Sequence, residues 1–361
     1  MSLRKTNNVE FARLLAAVLV LCSHGFTLYG LPEPFHVFTG GLSLGTLAVY
    51  IFFILSGYLI AQSWVADPNA PRFLLRRALR ILPALYVFFI VGYLLVGPFI
   101  TTLPADEYFS RANVTAFLKQ FNVSDILGTL PGTFADNPLP NAFNGSLWTI
   151  QYEVSCYLVL LALGVVGVYK SRKLVAIAAV GFFATYLYAK FTHPVWTFLH
   201  INGAQWFDLA AFFFYASALF MWREKRWLQS LAWPAVALIA FVLLKGNALV
   251  IALHVVLPPA FLVLALRDSQ GINRVGNYGD YSYGMYIYAF PVQQLLMLFF
   301  GEKISLWTFQ VLTLLGTFAC AFASWHLIEK QALRLKPKKR KVSTGPNPSA
   351  IPSAGVGAKA F

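Results

Sequence analysis

Apolar residues run through this chain in blocks of about twenty, parted by short polar segments, a pattern that suits helices crossing roughly 30 Å of hydrocarbon. Ten such blocks are predicted as spans: 10–29, 43–63, 81–100, 146–169, 174–190, 205–222, 228–244, 248–266, 281–300 and 306–328. The ten-residue alternation of a membrane β-barrel is absent, and a soluble core does not need so many near-continuous apolar runs. The fold class read from this is all-α: a polytopic integral membrane helical bundle of about ten transmembrane helices. The first block follows Arg4 and Lys5 as a signal peptide would. It contains Arg13 and lacks a small-residue cleavage site before the next span, so it reads as the first helix.

Composition agrees, with 58% hydrophobic and only 12% charged residues. The net charge of +14 gains meaning once the basic residues are sorted by side. Alternating spans place 21 Lys and Arg on the side of the N-terminus and five on the other, Arg111, Lys119, Lys190, Lys245 and Lys303. The positive-inside rule then makes both termini cytoplasmic. The charge is thus read as topology and contact with anionic membrane lipids, with no nucleic-acid partner. Residues 1–335 form the expected membrane domain. Within it, 101–145 is the only long external loop, either a cover over an extracytoplasmic site or a plain connector. Residues 336–361 are basic and then rich in Pro, Gly and Ser, a cytoplasmic tail expected to be disordered. Cys22, Cys156 and Cys320 sit singly in apolar runs and read as small core residues, and no metal site is expected.

The candidate chemistry lies in the few polar residues inside these blocks. In "RLLAAVLVLCSH" eleven residues separate Arg13 from His24, which returns the helix to within about 20° and raises it about 16 Å. Both therefore share one face, with Glu10 in reach of Arg13. Each taken singly is consistent with a snorkelling arginine and a packed histidine; aligned, they suggest a lined cavity along the first helix. Glu153, in "NGSLWTIQYEVSCY", falls at a depth similar to His24. A pairing of the two would offset the desolvation of both, as a general base with its orienting acid or as an inert polar lock. In "RFLLRRALRILP", helical spacing would gather Arg72, Arg76 and Arg80 on one face with Arg77 beside Arg80. This suits either a positive-inside anchor or multidentate phosphate binding. Ser56 and Gly57 in "FFILSG" read as a close-packing device, Asp208 and Asp280 as boundary residues, and His254 as a lone packed histidine. Pro291, closing "SYGMYIYAFP", is expected to kink its helix.

Together these stretches resemble the membrane-bound acyltransferase-3 family, which includes O-antigen and other cell-surface polysaccharide O-acetyltransferases. The resemblance rests on Arg13 and His24, "FFILSG", the segment with Arg77 and Arg80, "SLWTIQYE" with Trp148 and Glu153, "SYGMYIYAFP", and "SWHLIEK", in family order from about residue 7 to 335. It implies transfer of an acyl group, most often acetyl from acetyl-CoA, to a hydroxyl of a carbohydrate or glycolipid acceptor across a bacterial inner membrane. It also implies a catalytic role for His24, an important acid at Glu153, and donor binding by Arg13, Arg77 and Arg80. Ala289 stands where many members carry a histidine, so no catalysis is assigned there. No fused extracytoplasmic esterase-like domain is expected either. The competing readings of the residues are a proton-coupled secondary transporter or exporter, which would use the same buried ionisable groups, and a structural scaffold.

Overall fold

A computed structural model describes residues 7–123, 126, 128–192, 196–198 and 200–337. Arg4, Lys5, Asp125, His193 and the tail beyond 337 lie outside the described residues. Each expected span is a helix: α1 Val9–Leu28, α2 Leu44–Ala66, α3 Ala70–Val91, α4 Trp148–Val165, α5 Arg172–Thr192, α6 Gly203–Met221, α7 Ala232–Leu243, α8 Gly246–Ala265, α9 Ser282–Phe300 and α10 Leu306–Ser324. Among the described residues, eight helices are long and apolar enough to cross a membrane. Two expected spans are not among them: α7, with 12 residues, reaches only about 18 Å, and α9, long enough at 19 residues, is less apolar than the others. Among the described residues, strand structure is confined to a two-residue antiparallel pairing of Thr197–Phe198 with Ile201–Asn202 and an isolated bridge between Thr101 and Thr133. The chain is an all-α polytopic bundle.

Local sequence sets where the helices begin. The Ser43 hydroxyl accepts from the Thr46 N–H to cap α2, and Asn69 accepts from the Arg72 N–H, with a proline in the first turn, to start α3. Starting at Ala70 rather than 81, α3 takes all four arginines of "RFLLRRALR" into its first turns. It then continues through a π-helical turn, Gly92–Val96, to Ile100. Helix α10 likewise passes through a π turn, Trp325–Glu329, into Lys330–Arg334. Such turns redirect side chains within a helix, and this one turns Glu329 inward, where it is 3% exposed.

The close-packing reading of Gly57 holds. A Cβ there would lie 2.0 Å from the Phe213 carbonyl oxygen, so α2 and α6 touch backbone to backbone. Helix α2 is the central element, packed against α1 on one side and α6 on the other.

The described residues of 101–145 pack against the bundle. They include two short helices, Ala105–Tyr108 and Arg111–Lys119, and stack Tyr108 and Phe117 on Tyr93 with ring centroids 5.1 and 4.1 Å away. Asn144, 2% exposed, donates to the Ile287 carbonyl at 2.7 Å. The reason lies four residues on: Pro291 has no N–H to offer that carbonyl, so this segment supplies the missing donor. Pro291 thus sits inside a continuous helix whose freed carbonyl is satisfied from outside. Asn144→Leu should lower stability by about 1–3 kcal/mol, the cost of a buried acceptor left unpaired. In a Pro291→Ala background the penalty should shrink, which denaturation of the four variants of this cycle would measure.

Candidate functional site

Polar groups occupy the bundle interior in three successive layers, beginning where the arginines lie. At that end Asp280, just before α9, takes Arg80 at 2.6 Å and Arg13 at 3.4 Å on one oxygen and the Ser282 hydroxyl at 2.6 Å on the other. Burial opposes the Asp280 charge, but the two guanidiniums and the hydroxyl outweigh it and hold the carboxyl well below the usual carboxylate range. Arg80 also lies 3.7 Å from Glu329, which accepts from Ser324. Arg72 and Arg76 both engage Asp67, at 2.5 and 2.7 Å. Their hydrogen bonds lower its pKa. Lys336, half-buried just beyond the last helix, stands in the field of Arg80, Arg77 and Arg13. Burial first, and those cations next, push its ammonium down to about 8.

This end keeps a surplus of positive charge. Among the described residues, Arg13, Arg77, Arg80 and Lys336 face Asp280, Glu329 and, from the next layer, Glu153. The buried Nε of Arg77 and the Nε and Nη2 of Arg76 meet no acceptor among the described residues. Buried N–H groups on guanidinium are costly to leave unpaired, and a polyanion is the ligand that suits them.

The middle layer belongs to Glu153. Its carboxylate accepts from the Ser56 and Tyr157 hydroxyls. Arg77 stands within its electrostatic reach from the arginine side, and Tyr286 from the other. The Tyr286 hydroxyl donates to the Ser146 carbonyl at 2.6 Å and meets Thr149 at 2.5 Å, bracing α9 against the start of α4.

The third layer is a cavity of about 570 Å³ at the opposite end of the bundle, and His24 lines it together with Thr27, Tyr50, Trp148, Asp208 and Tyr286. Phe290 meets the His24 ring edge-on, centroids 5.2 Å apart, and fixes its plane. The buried His24 Nδ1 has no hydrogen-bond partner among the described residues. Over the cavity, Glu33 accepts from Ser23 at 2.6 Å and from the Leu44 N–H at 2.5 Å, so the segment between α1 and α2 is pinned beside His24. An imidazole on the wall of a polar cavity can take a proton from a hydroxyl placed there through Nε2, since Nδ1 is closed off from the cavity.

The sequence reading places Arg13, Arg77 and Arg80 together, and the structure does so. It brings neither Glu10 to Arg13 nor Glu153 to His24. Asp280 takes Arg13 because Arg80 already fixes that carboxylate beside α1, and Glu153 turns to the hydroxyls of Ser56 and Tyr157. Arg72 gives Asp67 two hydrogen bonds and Arg76 only one, so Arg76 keeps Nε and Nη2 without an acceptor among the described residues, as Arg77 keeps Nε. Asp280 is the centre of the cluster rather than a boundary residue, and Ser56 holds Glu153 as well as sitting in a close contact. Glu33 and Lys336 were not anticipated. A lone carboxylate in the otherwise uncharged "GLPEPFH" was the signal for the first, while Lys336 is hidden in a basic run.

Comparison with known proteins shows the family of the chain. A family model described as an acyltransferase domain matches residues 6–326. The chain is 32% identical over 353 residues to a protein named O-acetyl transferase from Shigella phage Sf6, covering 93% of this chain and 99% of that one. It is 29% identical over 356 residues to nodulation protein 10 of Rhizobium leguminosarum bv. viciae, covering 91% of this chain and 94% of the relative. No solved structure matches.

Proposed function

Given that the chain belongs to the acyltransferase-3 family of membrane proteins, we propose that it moves an acyl group, acetyl in the first instance, from acyl-CoA bound at the arginine end to a carbohydrate hydroxyl in the His24 cavity. The arginine end is cytoplasmic and the cavity extracytoplasmic in this reading, which the excess of Lys and Arg on one side supports. A bacterial inner membrane is the setting. That the chain is an acyltransferase follows from the family, and the name of the phage relative points to O-acetyl transfer. The donor, the sidedness and the roles below are ours.

The observation that carries the proposal is the alignment of an anion-binding cluster and an unengaged imidazole on one helix face, about 16 Å apart, with a hydroxyl-rich layer between them. Arg77, Arg80, Arg13 and Lys336 hold the phosphates of the donor. Ser56, Tyr157 and Tyr286 line the path of the thioester arm, and Glu153 keeps Arg77 in place from within. In the cavity His24 removes the acceptor proton. The hydroxyl oxygen forms its bond to the acyl carbon, the carbon–sulfur bond breaks, and the thiolate leaves to collect a proton on the donor side. A proton-coupled transporter would use the same buried groups but leaves a surplus of unpaired guanidinium N–H groups without a purpose. Mass spectrometry of surface glycans from cells with and without the protein tests the reading: an added acyl mass supports it, and identical glycans with intact inserted protein contradict it.

A further inference from the structure

Across α2 from His24, the α6 wall of the same cavity carries an acid–imidazole pair that the transfer step above does not use. Asp208 accepts from the Tyr50 hydroxyl at 3.0 Å through Oδ2, and its Oδ1 lies 3.0 Å from His254 Nε2 on α8. The other ring nitrogen, Nδ1, is 2.9 Å from the Val250 carbonyl, which can only accept, so Nδ1 carries a hydrogen. Nε2 has its hydrogen-bond acceptor in the Asp208 backbone carbonyl at 3.3 Å, while Oδ1 packs beside the ring without a hydrogen bond among the described residues. Tyr186 and Phe212 clamp the His254 ring from both faces, centroids 4.0 Å away in each case.

The two partners differ in what they face. The His254 side chain is 1% exposed, whereas 21% of the Asp208 side chain remains open, and Asp208 lines the cavity. A structural lock would bury both. One turn earlier on α6, Gln205 also lines the cavity, its Oε1 accepting from Tyr152 at 3.3 Å, and Trp148 adds an indole. A carboxylate, an amide and an indole face on one wall are the groups that recognise a sugar: two hydrogen-bonding groups for neighbouring hydroxyls and a flat apolar surface for the ring's C–H face.

We propose that Asp208, held by Tyr50 and His254, anchors a pair of neighbouring hydroxyls of the carbohydrate acceptor, with Gln205 and Trp148 completing the subsite, so that a third hydroxyl is presented to His24. The proposal rests on the acyl-transfer reading and names where its acceptor sits. Asp208 binds, His254 positions Asp208, and neither takes part in bond making.

The test uses the full chain in lipid nanodiscs and, as probe, the de-acylated oligosaccharide released from a glycan that the wild-type protein acylates. Asp208→Asn should raise the KM for this oligosaccharide at least tenfold while acetyl-CoA affinity stays at the wild-type value. His254→Phe should raise the same KM with a smaller effect on kcat. His254→Gln, which keeps a donor toward Asp208, should recover part of the loss. An unchanged oligosaccharide KM in Asp208→Asn overturns the proposal and leaves the acyl-transfer reading standing, as does a parallel fall in acetyl-CoA affinity, the mark of a purely structural pair. If the wild-type protein acylates no carbohydrate, the acyl-transfer reading fails and this subsite with it.

Discussion

His24→Ala protein, inserted and binding acetyl-CoA as the wild type does, transfers acyl groups about a hundredfold to ten-thousandfold more slowly, the range over which a positioned general base acts. The expectation follows from the placement of the imidazole. Phe290 holds the ring, and the cavity it lines is large enough for a sugar. Because His24 forms no hydrogen bond or ion pair among the described residues, its removal should cost activity far more than stability. Glycan mass spectrometry reads the first and thermal unfolding with acetyl-CoA titration the second. Transfer at the wild-type rate would remove His24 from the chemistry.

Arg77→Gln weakens acetyl-CoA binding by roughly ten- to a hundredfold, the worth of one hydrogen bond to a charged group. Arg77 is the cleanest probe of the cluster. Replacing Arg80 would strand Asp280 and Glu329, and replacing Arg72 or Arg76 would strand Asp67, so those variants lose stability as well as ligand. Lys336 supplies a pH dependence with a definite sign. Its ammonium loses its proton near pH 8 in the free protein, and a bound polyanion favours the charged form. Donor affinity should therefore fall as pH rises through about 8, because binding must then take up a proton. Lys336→Gln should bind more weakly below pH 8 and lose that slope. Isothermal titration across this range checks both, and an affinity indifferent to Arg77 and to pH would place the donor elsewhere.

How much of this was legible in the sequence depended on how local the determining physics is. The helices were readable because hydrocarbon thickness imposes block lengths on the chain, and the Arg13–His24 face was readable because one helix fixes both residues. The shortness of α7 was hidden in a continuous apolar run that hydropathy alone cannot divide. Partnerships between helices were less accessible. Depth along a helix put Glu153 level with His24, but it does not give the azimuth, and Ser56 and Tyr157 proved to be the groups it faces. Asp208 and His254, 46 residues apart, looked like a boundary acid and a lone histidine because nothing in either local sequence announces the other. Pro291 is the instructive middle case: its effect on the Ile287 carbonyl was implicit in the sequence, while the identity of the donor that answers it, Asn144, required the fold.

The central claim is that one polar route joins a polyanion site at one end of the bundle to an acceptor cavity at the other. Proteoliposomes of known orientation, given radiolabelled acetyl-CoA on one side and the acceptor oligosaccharide on the other, test it directly. Labelled product should appear only when the donor meets the arginine end and the acceptor meets the His24 end, and it should vanish when the two are exchanged. Product formed equally well with both substrates confined to one side would contradict the account.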